Sequence, residues 1–449
     1  MKKTLSIAAL STVLVFGMAA GAMATHLSGD SSDTVASAGT AKITIDGAIR
    51  QRGAINKASV VKDSAASSYY DGRIRLGIKA QVGSQASAYI QMETGQGDTH
   101  DYGWGNGSAA GLHMGGFKDT GSLLTPRQAW INYNASSFSV KVGHQLLALG
   151  NKVFFDHTGH GDDAIMAYTA IGDTHLAGIL IKFDEQTKGD STDDLDGYVA
   201  VATHKFNDNL DGGINWTYLK GGSSDPNAVS TGTAELAQGM SMSNVGINAN
   251  YRQDNLSFLA DTEFQFGDVS DTGTVTTKAK GWAVKLEAKM DLGTAKVGLL
   301  YGYGSGDDNA TDNNNDNFIN FLNNTNYDTI LIGYRAAVPG QASKHTGLAN
   351  LSEYQINVST KTTCPITGKP LSIFASATYA QLNEEINTGA TMEDKVGTEF
   401  DAIAKWSLAP GLFYKIEAGY LFTGNAWKTA ATSDPDNLYF LRHRLEFRF

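Results

Sequence analysis

The chain has 449 residues, 41% of them hydrophobic and 10% aromatic, with 50 Gly, 7 Pro, 18 Tyr and 19 Phe. Lys+Arg 35 against Asp+Glu 46 gives a net charge of -11, which argues against a nucleic-acid binder and its basic face. One cysteine excludes an internal disulfide and a thiolate metal site.

At the N-terminus Lys2 and Lys3 precede an apolar stretch over 5–18, and Ala22-Met23-Ala24 supplies a small-x-small cleavage pattern before Thr25. Residues 1–24 therefore read as a cleaved export signal, and no cysteine at the cut marks a lipoprotein. Residues 25–40 read as a short N-terminal periplasmic segment, and 41–449 as the body of the protein. No later stretch reaches the roughly 18 uninterrupted apolar residues of a membrane helix. That leaves a soluble periplasmic protein or an outer-membrane barrel.

The hydrophobic period decides between them. Ile43, Ile45 and Ile49 alternate with Lys42, Thr44, Asp46 and Arg50, and Ile74, Leu76 and Ile78 with Arg73, Arg75 and Lys79. Phe258, Ala260 and Phe264 alternate with Asp261 and Glu263; Val284, Leu286 and Ala288 with Lys285 and Glu287; Ile416, Ala418 and Tyr420 with Lys415 and Glu417. A period of two predicts strands with one apolar and one polar face. Segments of about 10 to 13 residues suit tilted strands that span a bilayer. Aromatics gather at their ends, as in Trp216 and Tyr218, Tyr301 and Tyr303, or Tyr420 and Phe422, the level of lipid headgroups.

Tight turns are expected near 82–84, 135–136, 172–173, 207–208, 254–255, 291–293, 364–368 and 409–411. Longer polar loops are expected at 53–69, 95–124, 148–162, 185–195, 221–240, 268–278, 305–350, 383–394 and 424–437. Short turns on one side and long loops on the other are the outer-membrane pattern. Strand-like segments number about nineteen; assigning 329–335 to one large external loop, 305–350, leaves about eighteen, with sixteen as the alternative. The fold class is thus all-β, a single antiparallel transmembrane barrel. Leu441, His443, Leu445, Phe447 and Phe449 share one face of the last segment, a terminal aromatic pattern of the kind the barrel-assembly machinery recognises.

Closure of the barrel sets Arg442 and Arg444 beside Arg50 and Arg52, and these beside Arg73, Arg75 and Lys79. Lys141, Lys285, Lys405 and Lys415 share the polar parity, as do the acids Asp261, Glu263, Glu287 and Glu417. A basic wall facing Asp261 and Glu263 sets a transverse field on solutes. The other reading, that these charges pair with one another for folding, stays open.

The outer loops hold the acid excess, for example Asp307, Asp308, Asp312 and Asp316, or Glu384, Glu385, Glu393 and Asp394. They read as a solvated surface, with lipopolysaccharide bridged by divalent cations as a second reading. Asp312-x-Asn314-x-Asp316 lacks the glycine and closing glutamate of a calcium loop. Asp156, His157, His160, Asp162 and Asp163 cluster without a defined ligand spacing. No metal or cofactor is expected. The glycines of 103–116 lack a phosphate-binding lysine, no Ser–His–acid set is evident, and Cys364 reads as an inert thiol in a turn.

Three groups of residues resemble the outer-membrane porins of the alginate-export type. They are Arg127-Gln128-Ala129-Trp130 with Gly143-His144-Gln145 and Leu149-Gly150; Gly304-Ser305-Gly306-Asp307-Asp308-Asn309; and Val396-Gly397-Thr398-Glu399-Phe400-Asp401 with 419–424. The resemblance extends over about the last three quarters of the mature chain. It implies an 18-stranded barrel and, in members related to alginate secretion, an arginine-rich passage for polyuronate. Here His144 stands where that element would have arginine, and the turn around Cys364 is too short for the alginate exporter's periplasmic lid.

The function expected is a channel for passive diffusion of small hydrophilic solutes, favouring anions such as carboxylates or sugar acids, and not an enzyme. The alternatives are a barrel that sheathes an electron-transfer or adhesive partner, an outer-membrane hydrolase, and, less favoured, polyuronate export. Expected partners are outer-membrane lipid, lipopolysaccharide and the assembly machinery, with homotrimerisation open.

Overall fold

The computed structural model describes residues 36–38, 41–94, 102–103, 124–185, 194–222, 229–230, 235–236, 239–271, 275–309, 311–322, 329–341, 347–389, 391–428 and 434–449. The stretch expected as an export signal, with Ala22 and Ala24, most of the 25–40 segment and nearly all of the 103–116 stretch lie outside them.

Eighteen long strands carry the fold. They are β1 Ala41–Lys57, β2 Ser67–Val82, β3 Ala86–Thr94, β4 Leu124–Asn134, β5 Ser139–Gln145 and β6 Asp162–Ile171. Then come β7 Thr174–Asp184, β8 Leu195–Lys205, β9 Leu210–Gly221, β10 Ser241–Gln253, β11 Leu256–Asp271 and β12 Trp282–Asp291. The last six are β13 Ala295–Gly304, β14 Leu351–Thr363, β15 Pro370–Asn387, β16 Met392–Ala409, β17 Leu412–Thr423 and β18 Leu438–Arg448. Each pairs antiparallel with its neighbour in the chain, and β18 closes the ring on β1 from Ala48↔Arg448 to Lys57↔Tyr439. Closure satisfies the N–H and C=O groups that hydrocarbon cannot. Ala36–Ala38 adds a short pairing along the start of β1.

All eight tight turns fall where alternation breaks, at one end of the barrel, and the long loops lie at the other. Several strands outrun their expected limits. β1 reaches Lys57, and β15 and β16 run to Asn387 and from Met392, where loops were expected at 53–69 and 383–394. Above the bilayer both faces of a strand meet water, so alternation fades while the ladder continues. Segment 329–335 is not a strand; it lies in the loop that joins β13 to β14.

One glycine shows how local sequence holds the ladder. Gly143 has φ +120, and a Cβ there would strike the carbonyl of Ala129 on β4. Only glycine fits the position.

Outside, Ile49, Leu76, Ile131, Leu286, Ile356 and Leu441 are exposed to what is bilayer in the cell. Tyr301–Tyr354 and Tyr354–Tyr379 ring centroids lie 5.1 and 6.4 Å apart, part of an aromatic girdle near the loop end.

The inner face departs from the expected wet lining. On β6 to β9 the inward residues Ala164, Met166, Ile179, Ile181, Val199 and Leu219 are apolar and buried. Loop 146–161 folds in from the mouth and covers them with Leu147, Val153, Phe154 and Phe155. Phe155–Asp156 pairs with Phe321–Leu322 of the β13–β14 loop, and the Phe154 and Phe321 rings lie 5.6 Å apart. A second apolar cluster sets Ile330, Leu331, Ile332 and Val338 of the same loop against Leu382, Val396, Trp427 and Phe440. The loop expected to be external therefore enters the lumen, because its apolar side chains find no other cover.

Candidate functional site: the charged inner wall

Alternation and register together bring the expected cations to one wall, except Lys285, which lies on β12. Arg50 pairs with Arg73, Arg52 with Arg444, Lys415 with Arg444, and Lys405 with Lys415. Arg75 lies across from Ala48, and Arg442 from Ala54 and Glu417. Lys79 and Lys141 lie nearer the turn end, Lys141 with its ammonium 4.3 Å from the centre of the Trp130 ring. Lys405 lies 4.2 Å over Phe413. Arg73, Arg444 and Arg448 keep 22, 20 and 24% of their side-chain surface exposed, so this wall faces water.

The wall is a ladder of alternating sign rather than bare positive charge. Glu93 is wholly buried among Arg75 Nε at 2.6 Å, Arg73 Nη1 at 3.2 Å and Arg127 Nε at 3.3 Å. Glu417 takes Lys415 Nζ and Arg442 Nη2 at 2.6 Å each. Glu446 pairs with Arg448 at 2.6 Å and Arg444 at 3.4 Å, and Asp71 pairs with Arg52. The charges pair with one another, and along this wall the cations still outnumber the carboxylates.

Asp71, Glu93, Glu446 and Arg448 were not singled out from the sequence, and Arg127 entered only through the family resemblance, not as a residue of this wall. Glu446 and Arg448 were legible, since Arg442-x-Arg444-x-Glu446-x-Arg448 keeps one parity. Arg127 was not, because a register shift between β3 and β4 turns it inward.

Asp261 and Glu263 lie on β11, halfway round from β2, and both are buried. Asp261 faces Lys285 across β12 and accepts the Asn151 N–H of loop 146–161 at 2.6 Å. Glu287 pairs with Lys289 at 2.6 Å. A further acid, quoted above only within the family resemblance, has a role the sequence did not show: Glu399 on β16 accepts the N–H groups of Ile330, Leu331 and Ile332 at 2.7, 2.7 and 2.8 Å. It fastens the second inward loop to the wall. From that loop Arg335 reaches back, its guanidinium 3.6 Å over the Phe440 ring. Burial and the cations Arg442 and Arg52 lower the pKa of Arg335.

The His/Asp cluster of loop 146–161 is structural. His157 Nδ1 lies 2.7 Å from Asp162, and its ring stacks on Phe155 at 4.4 Å. His144 bonds the His160 carbonyl at 2.9 Å and Asp163 at 3.0 Å on the outer parity, away from the lumen. In the outer loop the carboxylates of Asp307, Asp308 and Asp316 converge, whereas Asp312 bonds Asn314 at 2.8 Å. Leu441, His443, Leu445, Phe447 and Phe449 take the outward parity of β18 and the terminus, with Phe447 and Phe449 rings 5.9 Å apart.

A closed ring of eighteen antiparallel strands, apolar outside, with loops folded into a charged lumen, is an outer-membrane barrel of the porin type. The family model described as alginate export matches residues 197–440, more than half of the chain, and the protein belongs to that family. The match includes the Gly304–Asn309 and Val396–Asp401 groups; the Arg127–Gly150 element precedes it.

Among solved structures the chain is similar to Pseudomonas aeruginosa OpdL, at 13% identity over 91% of this chain and 98% of that one, with a TM-score of 0.56. It is similar to a BenF-like porin from Pseudomonas fluorescens at 12% identity over 91% and 98%, TM-score 0.56. It is also similar to P. aeruginosa OpdK, solved with vanillate, at 11% identity over 90% and 98%, TM-score 0.54. At these identities the likeness concerns the fold. No curated protein matches the sequence.

Proposed function

We propose that the protein is a passive channel of the outer membrane for small hydrophilic solutes, and that it favours anions such as carboxylates and sugar acids. The observation that carries this reading is the run of lumen-facing cations from β17 through the closure to β2, with Arg73 and Arg444 partly open to water. In a low-dielectric wall such a run raises the local anion concentration. OpdK, of the same fold, is a structure with a bound aromatic carboxylate, vanillate. The outward placement of His144 means that its departure from the family's arginine bears on loop anchoring rather than on the passage. The sheath reading has less support, since loops 146–161 and 305–350 occupy lumen that a partner would need.

The test is single-channel recording in a salt gradient. Anion selectivity that falls several-fold in Arg73→Gln with Arg444→Gln is the expected result. Cation selectivity that the substitutions leave unchanged overturns the reading.

A further inference from the structure

We propose that Asp261, Glu263 and Asn215 form a buried site for a hard cation, calcium by its charge, which fastens loop 146–161 to the barrel wall. Asp261 and Glu263 stand two residues apart on the inward face of β11, with 1% and 0% of their surfaces exposed. Their carboxyls lie within hydrogen-bonding reach of each other. Two carboxylates so close, out of water, need a proton or a cation between them.

The second observation comes from β9. Asn215 is 2% exposed, and neither atom of its amide has a partner. The next inward residue, Thr217, is fully buried with an unpartnered hydroxyl. Buried polar groups are nearly always bonded, and an amide left over usually marks an ion or a water.

Asn215, Gly246 and Glu263 form one row across three strands. A Cβ on Gly246 would collide with the Asn215 amide and lie 2.7 Å from Glu263 Oε1, so the two side chains converge over that glycine. Gly150 of the loop closes the site from above. A Cβ there would lie 2.8 Å from Asp261 Oδ2, 3.6 Å from Asn215 Nδ2 and 3.7 Å from Asn248 Oδ1.

Asp261 Oδ1 and Glu263 Oε1 are each without a partner and Asn248 Oδ1 lies beside them; Asn215 faces them with Nδ2, and turning its unpartnered amide over brings Oδ1 in, which makes the donor set all oxygen. Calcium favours such sets and tolerates irregular geometry. Lys285 on β12 faces Asp261 and offsets part of one charge, while Glu263 faces Ala283 and accepts from Asn244 Nδ2 at 2.7 Å. The cation would hold the carboxylates ionised, and Asp261 would then keep its bond to the Asn151 N–H.

The experiment is metal analysis of the full-length barrel, refolded in detergent with calcium chloride and gel-filtered in EDTA. The expected result is a single retained calcium that Asp261→Asn with Glu263→Gln abolishes. The triple variant Asp307→Asn, Asp308→Asn, Asp316→Asn should retain it, which separates this site from the outer-loop carboxylates. Where the double variant fails to fold, Asn215→Ala decides, since it leaves both carboxyls and the Asn151 bond in place; it should release calcium to EDTA several-fold faster. No calcium in the wild type, or retention unchanged in Asp261→Asn with Glu263→Gln or in Asn215→Ala, overturns the proposal in favour of a shared proton and ordered water.

Discussion

Two arcs of the same inner surface are built by one rule and come out opposite. From β17 through the closure to β4, inward positions carry arginines, lysines and the carboxylates that pair with them. From β6 to β9 the inward positions carry Met166, Ile179, Ile181, Val199 and Leu219, which are nearly inaccessible. The difference lies in what faces each arc. The apolar arc is covered by Phe154, Phe155 and Phe321 from loops that dip into the mouth, and burial there contributes roughly 25 cal/mol per Å² of apolar surface. On the charged arc the apolar segment 330–338 docks only at the loop end, on Ala54, Leu421, Leu438 and Phe440, and not over the ion-paired stretch, where it would strip water from ions at a cost of several kcal/mol each. A lumen-facing position is therefore wet or dry according to its partner, and one wall recruits the plug while the other keeps the passage.

The largest expected effect attacks the dry arc. Phe154 is fully buried between the wall and Phe321, and Phe154→Ala removes the ring and leaves a cavity, at a cost of about 3–5 kcal/mol. That cost falls on docking of the loop, since the ladder of eighteen strands does not depend on it. Higher conductance and faster cleavage within 146–161 by added protease are expected. Unchanged conductance and cleavage would show that the loops hold without the apolar arc.

A smaller effect sharpens the wet arc. Glu93 holds Arg73, Arg75 and Arg127 together, so Glu93→Gln removes one negative charge from among three positive ones. The ratio of anion to cation permeability should rise several-fold in a salt gradient. The loss of a charge-assisted bond should cost about 1.5–3 kcal/mol of barrel stability. A fall in the ratio would mean that the ladder is structural and that solutes are chosen elsewhere.

Most of the barrel was legible because strand alternation is a local signal. Every tight turn and the parity of Arg50, Arg73 and Arg442 follow from residues a few positions apart, and the 13-residue length of β14 is read from the same alternation. The dry arc was also written locally, though less plainly. Residues 176–181, Leu-Ala-Gly-Ile-Leu-Ile, are apolar on both parities, the mark of a strand covered on both faces. Loop docking was not legible. Nothing near Glu399 announces that it will accept three N–H groups from Ile330, Leu331 and Ile332, nearly seventy positions earlier. Arg335 over Phe440 depends on the same long-range closure.

The smallest effect tests the frame in which the arcs are compared, namely that the plugged mouth faces outward and the tight turns face the periplasm. Cys364 sits in the turn between β14 and β15, at the end opposite to the inward loops. Hydrogen bonds from Thr367 and Trp406 and from the turn backbone favour its thiolate and bring its pKa down to about 7. A lowered thiol pKa means that thiolate is already present at neutral pH, so alkylation should rise through about pH 7 rather than near pH 9. Thr367→Val removes the first of those bonds and should move the profile upward. Cys364 is 6% exposed, so a membrane-impermeant maleimide should leave it untouched on intact cells and label it slowly once the outer membrane is opened. Labelling on intact cells would invert the barrel, put the plug at the periplasmic mouth, and reverse the direction from which solutes first meet the charged arc.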